Sequence, residues 1–116
     1  MGKTDDVRLR HMLDAAKEAL AFMKGKSRKD LDANRMLVLS LLRLVEIIGE
    51  AAGQVSKEFQ GKYPEIPRAL IVAMRNRLIH AYFDVDLDRV WSTTQDDLPP
   101  LIAQLEKIIP EKGSCC

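Results

Sequence analysis

An apolar run at residues 36–48 constrains the fold of this chain more than any other feature. The run is apolar on almost every side of a helix. Its polar exceptions recur every three or four residues, as Ser40, Arg43, Glu46 and Glu50, and therefore form one narrow stripe. One bundle core cannot cover apolar surface on so many sides. We therefore predict that part of this helix packs against a second copy of the chain, in a homodimer.

The same run is too short and too charged to cross a membrane. Arg43 and Glu46 interrupt it, and a membrane-spanning helix needs about 20 consecutive apolar residues. The first 13 residues carry charges throughout, which is unlike a secretory signal. We predict a cytoplasmic protein without membrane contact.

Helical periodicity continues through the rest of the chain, and no hairpin signal interrupts it. This pattern predicts an all-α, compact four- to five-helix bundle. The first helix should begin at Thr4 or Asp5, with Thr4 as a candidate N-cap, and should end at Lys24 before a stop at Gly25. A long second helix should run from residues 30–32 to about Phe59.

Proline positions divide the second half of the chain. Pro67 favours the start of a third helix over residues 67–83. Asp86 or Asp88 should cap a fourth helix whose Val90 and Trp91 pack inward. The pair at residues 99–100 should stop or kink that helix, and a last helical segment should occupy residues 100–109.

We expect a single domain over residues 1–112 and a flexible tail over residues 113–116. The tail holds the only cysteines, Cys115 and Cys116, which are too close together to staple a core. The two histidines, His11 and His80, show no zinc-type spacing with cysteine, so we expect no metal site and no cofactor. His11 should be a surface or half-buried residue of the first helix.

The overall charge does not mark a nucleic-acid binder, because 18 basic and 17 acidic side chains give a net charge of +1. Locally, residues 62–80 hold four basic side chains and one acidic side chain, Glu65. Residues 84–97 hold five acidic side chains and one basic side chain, Arg89. A small basic patch bordered by acid would suit one or two phosphates, but a solvated mixed surface explains the same pattern equally well.

The segment at residues 74–83 carries the side chains best suited to catalysis or phosphate binding: Arg75, Asn76, His80 and Tyr82. Arginine presents a rigid, charged fork that matches phosphate oxygens. Histidine can accept and donate protons near neutral pH. Together they could break a phosphodiester without a metal ion, provided that they reach one point.

Helical geometry separates two of these side chains. Arg75 and His80 are five positions apart and point roughly 140° away from each other in a helix. Asn76 shares a face with His80, and Arg75 shares another face with Tyr82. Because the face of Arg75 is apolar, its charge needs a partner. Either Glu46 or Glu50 supplies that partner, or the face is an open cleft at a subunit contact.

The pattern Arg75-x4-His80-x-Tyr82 resembles the signature of the HEPN superfamily, and most closely that of the HepT-like toxins. The resemblance covers nearly the whole chain, with further agreement at residues 9–13, 46–51, 64–67, 82–86, 91 and 97–99. Two positions depart from it. Arg68 stands where such proteins often have tryptophan, and Ala81 where they often have glycine, which should alter packing rather than chemistry.

The resemblance implies a helical bundle and a dimeric, metal-independent endoribonuclease, the toxin of a toxin–antitoxin system. His80 would act as acid and base, Arg75 would stabilise the transition state, and Asn76 would hold the imidazole or a phosphate oxygen. The substrate would be RNA, not DNA. The antitoxin partner would be an MntA-like nucleotidyltransferase that silences the toxin by adenylylating Tyr82. The alternative is a non-catalytic HEPN module, accessory to a nucleotidyltransferase or nucleotide-binding.

Overall fold

The structure, a computed structural model, describes residues 3–62 and 86–109, and their side chains from Asp5 onward. All the elements in these two ranges are helical, which confirms the all-α prediction. They are α1 (Lys3–Met23), α2 (Arg28–Ala33), α3 (Arg35–Gln54), α4 (Lys57–Lys62), α5 (Leu87–Ser92), a π-helical segment (Thr93–Asp97) and α6 (Leu98–Ile108). The third helix predicted over residues 67–83 lies outside the described residues, as does the predicted tail.

The core lies between α1 and α3, which form the most extensive helix–helix contact. On each helix the buried positions recur at helical spacing, so one face is apolar. They include Leu9, Met12, Ala16 and Ala19 on α1, and Leu41, Val45 and Ile48 on α3. Helix α6 packs against α1, and its buried Leu98 and Leu105 join the same core.

The single long second helix predicted up to Phe59 is wrong, because the chain leaves helical geometry twice. Asn34 has φ −127° and ψ 92°, and its side-chain oxygen accepts the N–H of Leu37 at 3.0 Å, so Asn34 ends α2 and caps α3. Val55 is extended as well, and α4 begins two residues later. Polar capping side chains at these points stabilise breaks that apolar periodicity does not reveal.

Both ends of α1 were predicted from single residues, with different outcomes. The cap assigned to Thr4 is wrong, since α1 already begins at Lys3 and includes Thr4. The stop at Gly25 is confirmed. Gly25 has φ +77°, which a residue without Cβ adopts at little cost, and the N–H of Lys26 donates to the carbonyl of Met23 at 2.9 Å.

The excess apolar surface predicted for residues 36–48 is mostly absent. Leu37, Val38, Leu41, Leu42, Leu44, Val45 and Ile48 are all buried within one chain. Neighbouring helices on more than one side of α3 cover them, since α1, α2 and α5 all contact it. Only Met36, 79% exposed, and Leu39, 47% exposed, remain as large exposed apolar side chains of this run. The exposed apolar surface of this run is therefore smaller than predicted and gives less support to a homodimer, which stays a prediction.

Helical structure continues through the two prolines instead of stopping there. Pro99 and Pro100 occupy the first turn of α6, where a missing N–H costs little. The residues before them form the π-helical segment, in which the N–H of Leu98 donates to the carbonyl of Thr93, five residues back. At the other end, Asp86 caps α5 as predicted, its carboxylate accepting the N–H of Arg89 at 3.1 Å.

Candidate functional site

The four residues of the predicted site, Arg75, Asn76, His80 and Tyr82, lie outside the described residues. The structure describes the chain on either side of residues 63–85 and the helices that position those two ends. It also describes the surface that carries Glu46 and Glu50. Polar and charged contacts attach these helices to the rest of the described protein.

Helix α4, which leads into residues 63–85, is attached to α1 by a polar contact between Asp5 and Ser56. One carboxylate oxygen of Asp5 accepts the Ser56 N–H at 2.9 Å, and the other accepts the Ser56 hydroxyl at 2.7 Å. The Ser56 hydroxyl oxygen in turn accepts the N–H of Phe59 at 3.1 Å and so caps α4. This contact, the Asp5–Ser56 clamp, joins residues 51 positions apart.

The clamp is well shielded from solvent, since Asp5 is only 5% exposed. The hydrogen bond from the Ser56 side chain, and next that from its backbone N–H, lower the pKa of the Asp5 carboxyl below its ordinary value. Asp5 is therefore charged at neutral pH, and its charge is satisfied by the start of α4. The serine immediately before the helical pattern at residues 57–62 is the sequence signal that indicates this cap.

On the C-terminal side, α5 is held by α2. Arg28 Nε donates to Asp88 Oδ1 at 2.9 Å, and Arg28 Nη2 forms an ion pair with the same oxygen at 2.8 Å. Arg28 Nη1 lies 3.2 Å from Asp32 Oδ1. The hydrogen bond to Asp88 is the main cause that raises the pKa of the Arg28 guanidinium. Asp88, the alternative to Asp86 as the predicted cap of α5, pairs with Arg28, and Asp86 is the cap. Charged contacts therefore attach the described helices on either side of residues 63–85, α4 to α1 and α5 to α2.

Glu46 and Glu50, the predicted charge partners of Arg75, form ion pairs with Arg43 on the same helix. Arg43 Nη1 contacts Glu46 Oε1 closely and lies 3.9 Å from Glu50 Oε1. The two glutamate side chains are 34% and 54% exposed, so neither is a deeply buried charge that needs a second cation. Their pairing with Arg75 stays a prediction.

An open groove of about 510 Å³ lies where the C-terminal half of α1 meets the π-helical segment and the start of α6. Its lining combines apolar side chains with two lysines and two polar residues: Lys17, Leu20, Ala21, Met23, Lys24, Thr94, Gln95 and Pro99. Lys17 is paired with Glu106 at 2.9 Å. This groove has no local sequence signal, since it forms where elements about 70 residues apart meet.

Three further observations bear on the chemistry that this surface can support. His11 is exposed on α1, as predicted. Within residues 3–62 and 86–109, no cluster of His, Cys, Asp and Glu side chains could hold a metal ion. None of the helices described there is both long enough and apolar enough to cross a membrane.

Comparisons with known proteins place the chain among ribonucleases. The family model described as "Ribonuclease HepT-like" matches residues 12–108. The "Probable ribonuclease HepT" of Thermococcus cleftensis is 34% identical over 83% of this chain and 91% of its own length. A protein of Caldanaerobacter subterraneus, provisionally named an RNase, is 34% identical over 95% of this chain and 98% of its own length. Another from Methanocaldococcus jannaschii, also provisionally named, is 33% identical over 86% and 83%. No solved structure matches the chain significantly.

Proposed function

The chain belongs to the HepT-like ribonuclease family, and on that premise we propose that it is a metal-independent endoribonuclease, the toxin of a toxin–antitoxin system. One observation carries the proposal: the family match over residues 12–108 includes every residue of the pattern Arg75-x4-His80-x-Tyr82. The alternative, a non-catalytic module that accompanies a nucleotidyltransferase, would not explain why Arg75 and His80 occur together in this pattern.

In the proposed reaction, the 2′-hydroxyl of the RNA attacks the adjacent phosphorus. One His80 accepts the hydroxyl proton, and the bond to the 5′-oxygen breaks as the His80 of a second subunit donates a proton to it. Arg75 stabilises the negative charge that grows on the phosphoryl oxygens in the transition state. Asn76, one helical turn before His80, holds the imidazole or a phosphate oxygen. The products are a 2′,3′-cyclic phosphate and a 5′-hydroxyl.

A homodimer is part of this proposal, because Arg75 and His80 diverge on a helix and a cleft between two copies would let them meet. Exposed Met36 and Leu39 on α3 offer an apolar contact for such a dimer. The proposed antitoxin is an MntA-like nucleotidyltransferase. By adding adenylate to Tyr82 it would place a negative phosphodiester beside Arg75 and occupy the charge that RNA needs.

The test is RNA cleavage by purified protein with and without a chelator, followed by analysis of the new ends. We expect cleavage to be unaffected by chelator and to leave cyclic phosphates. His80→Ala should lower the rate by about 10² to 10⁴, the usual contribution of a positioned acid or base. His11→Ala is the matched control, since His11 is an exposed histidine of α1 and should leave the rate unchanged.

Arg75→Ala should also abolish cleavage while preserving the helical signal in circular dichroism. Full activity in folded His80→Ala protein would refute the catalytic proposal. A large loss of thermal stability in Arg75→Ala would assign Arg75 a structural role instead. Absence of cleavage by wild-type protein that still binds a nucleotidyltransferase would favour the accessory module.

A further inference from the structure

The turn between α1 and α2 concentrates positive charge that the proposed reaction does not use. Residues 24–29 read Lys-Gly-Lys-Ser-Arg-Lys, four basic side chains without an acidic one. Lys24, Lys26 and Lys29 are exposed. Within the described residues none of their ammonium groups forms an ion pair or a side-chain hydrogen bond. We call these three lysines the basic turn.

Asp30 and Asp32, which follow the basic turn in sequence, and Asp88 on α5 form their hydrogen bonds and ion pairs with other residues. Asp30 turns back on Ser27, whose N–H donates to Asp30 Oδ2 at 2.6 Å. Asp32 and Asp88 both bind Arg28. Arg28 therefore neutralises two carboxylates that could otherwise have paired with the lysines. The hydrogen bond from the Ser27 N–H is the main cause that lowers the pKa of the Asp30 carboxyl, and the charge of nearby Lys26 contributes to the same lowering. Lys26 forms no ion pair with Asp30, so the basic turn keeps most of its charge for an external anion.

The basic turn is also held in shape and lies beside a groove. Gly25, with its positive φ, fixes the exit from α1, and Arg28 ties α2 to α5. Lys24 belongs both to the turn and to the lining of the groove, where Gln95 supplies an exposed polar side chain opposite α1. Thr94 also lines the groove, but it is buried and its hydroxyl donates to the carbonyl of Trp91 at 2.8 Å. A chain of regularly spaced phosphates could follow this edge, contacting successive lysines, while the groove accommodates sugar or base.

We propose that the basic turn and the adjoining groove, which include none of the residues proposed for cleavage, form a second contact surface for single-stranded RNA that binds the phosphodiester backbone. The proposal rests on the proposed function for its choice of RNA. Such a surface would hold the substrate by sequence-independent contacts and would leave selection of the scissile bond to residues 75–82.

The test uses wild-type protein and a 2′-O-methyl oligouridylate of about 16 nucleotides, a length within known single-strand sites. This RNA keeps its phosphates but lacks the attacking hydroxyl, so it cannot be cut by the proposed reaction. Lys24→Gln/Lys26→Gln removes two charges of the turn. The matched control is Lys57→Gln/Lys107→Gln, which removes two exposed lysines from α4 and α6. Fluorescence anisotropy gives Kd at several salt concentrations.

Each phosphate contact to a single strand contributes about 0.7 to the slope of log K against log salt. The turn variant should therefore lose about 1.4 from that slope and bind about 25-fold more weakly at roughly 0.1 M salt. The control should retain the wild-type slope. Circular dichroism should show that both variants keep their helical content.

Equal weakening in both variants would mean non-specific attraction and would overturn the proposal. So would an unchanged Kd in the turn variant, or binding of the turn to anionic lipid vesicles but not to the oligonucleotide. Because the RNA cannot be cut, the binding result is independent of cleavage. Failure of the proposed function would instead appear as intact ordinary RNA in the cleavage assay.

Discussion

Replacing Asp5 by asparagine should destabilise the protein far more than its position near the start of the chain suggests. Both carboxylate oxygens accept hydrogen bonds from Ser56, at 2.9 and 2.7 Å, in a site that is 5% exposed. The asparagine NH₂ cannot accept, so one of the two Ser56 donors loses its partner. Hydrogen bonds to a charged group contribute about 1.5–3 kcal/mol each, so we expect Asp5→Asn to cost about 2 kcal/mol and Asp5→Ala about 4 kcal/mol.

The effect should depend on pH in a defined direction. The pKa of Asp5 is lowered on folding, mainly by the Ser56 side chain, so the carboxylate contributes stability above its unfolded-state pKa. That contribution is lost as the pH falls through the folded-state value. The difference between wild type and Asp5→Asn should be constant from about pH 7 to about pH 5 and should shrink below about pH 4.

Urea unfolding followed by far-ultraviolet circular dichroism measures both effects. Asp6→Asn is the matched control, because Asp6 is the next residue on α1 and is exposed. The control should change the free energy of unfolding by no more than about 0.5 kcal/mol. Equal stability of the two asparagine variants at neutral pH would refute the clamp, as would a difference that grows on acidification.

Three further predictions concern single side chains. Asn34→Ala should cost about 1 kcal/mol in urea unfolding because α3 loses its cap, whereas Asn34→Asp should largely keep it; equal loss in both would contradict the capping role. Thr93→Val should leave the free energy of unfolding unchanged or raise it by about 1 kcal/mol, because the buried Thr93 hydroxyl has no hydrogen-bond partner among the described residues. A clear loss of stability in urea unfolding would show that the hydroxyl has a partner. Tyr82→Phe should give an active ribonuclease that the antitoxin cannot silence by adenylylation. Mass spectrometry after incubation with the antitoxin and ATP tests this, and adenylate on the Phe variant would contradict it.

Local signals in the sequence predicted several elements of the fold correctly. Gly25 marked the end of α1 because a residue without Cβ tolerates the positive φ of the turn. Asp86 marked the start of α5 because its carboxylate can accept a free N–H. Val90, predicted to pack inward, is 1% exposed. For Gly25 and Asp86 the interaction that decides the structure lies within four residues.

Predictions that depended on distant residues were less successful. Apolar periodicity across Asn34 and Val55 suggested one helix, but a polar cap and the Asp5–Ser56 clamp divide it. Similarly, the sequence does not show that α1, α2 and α5 all pack against α3 and cover most of the apolar surface of residues 36–48. The residues proposed for catalysis, Arg75, Asn76, His80 and Tyr82, rest on the sequence pattern and the family match rather than on described geometry.

The pairing of α1 with α3 has a consequence for the order in which the protein folds during synthesis. This pairing needs only residues 3–54, which are synthesised before residues 63–109. Asp5 can bind Ser56 once the start of α4 has been synthesised. Residues 75–82 would then be synthesised after the α1–α3 pair can form and before α6 packs against α1.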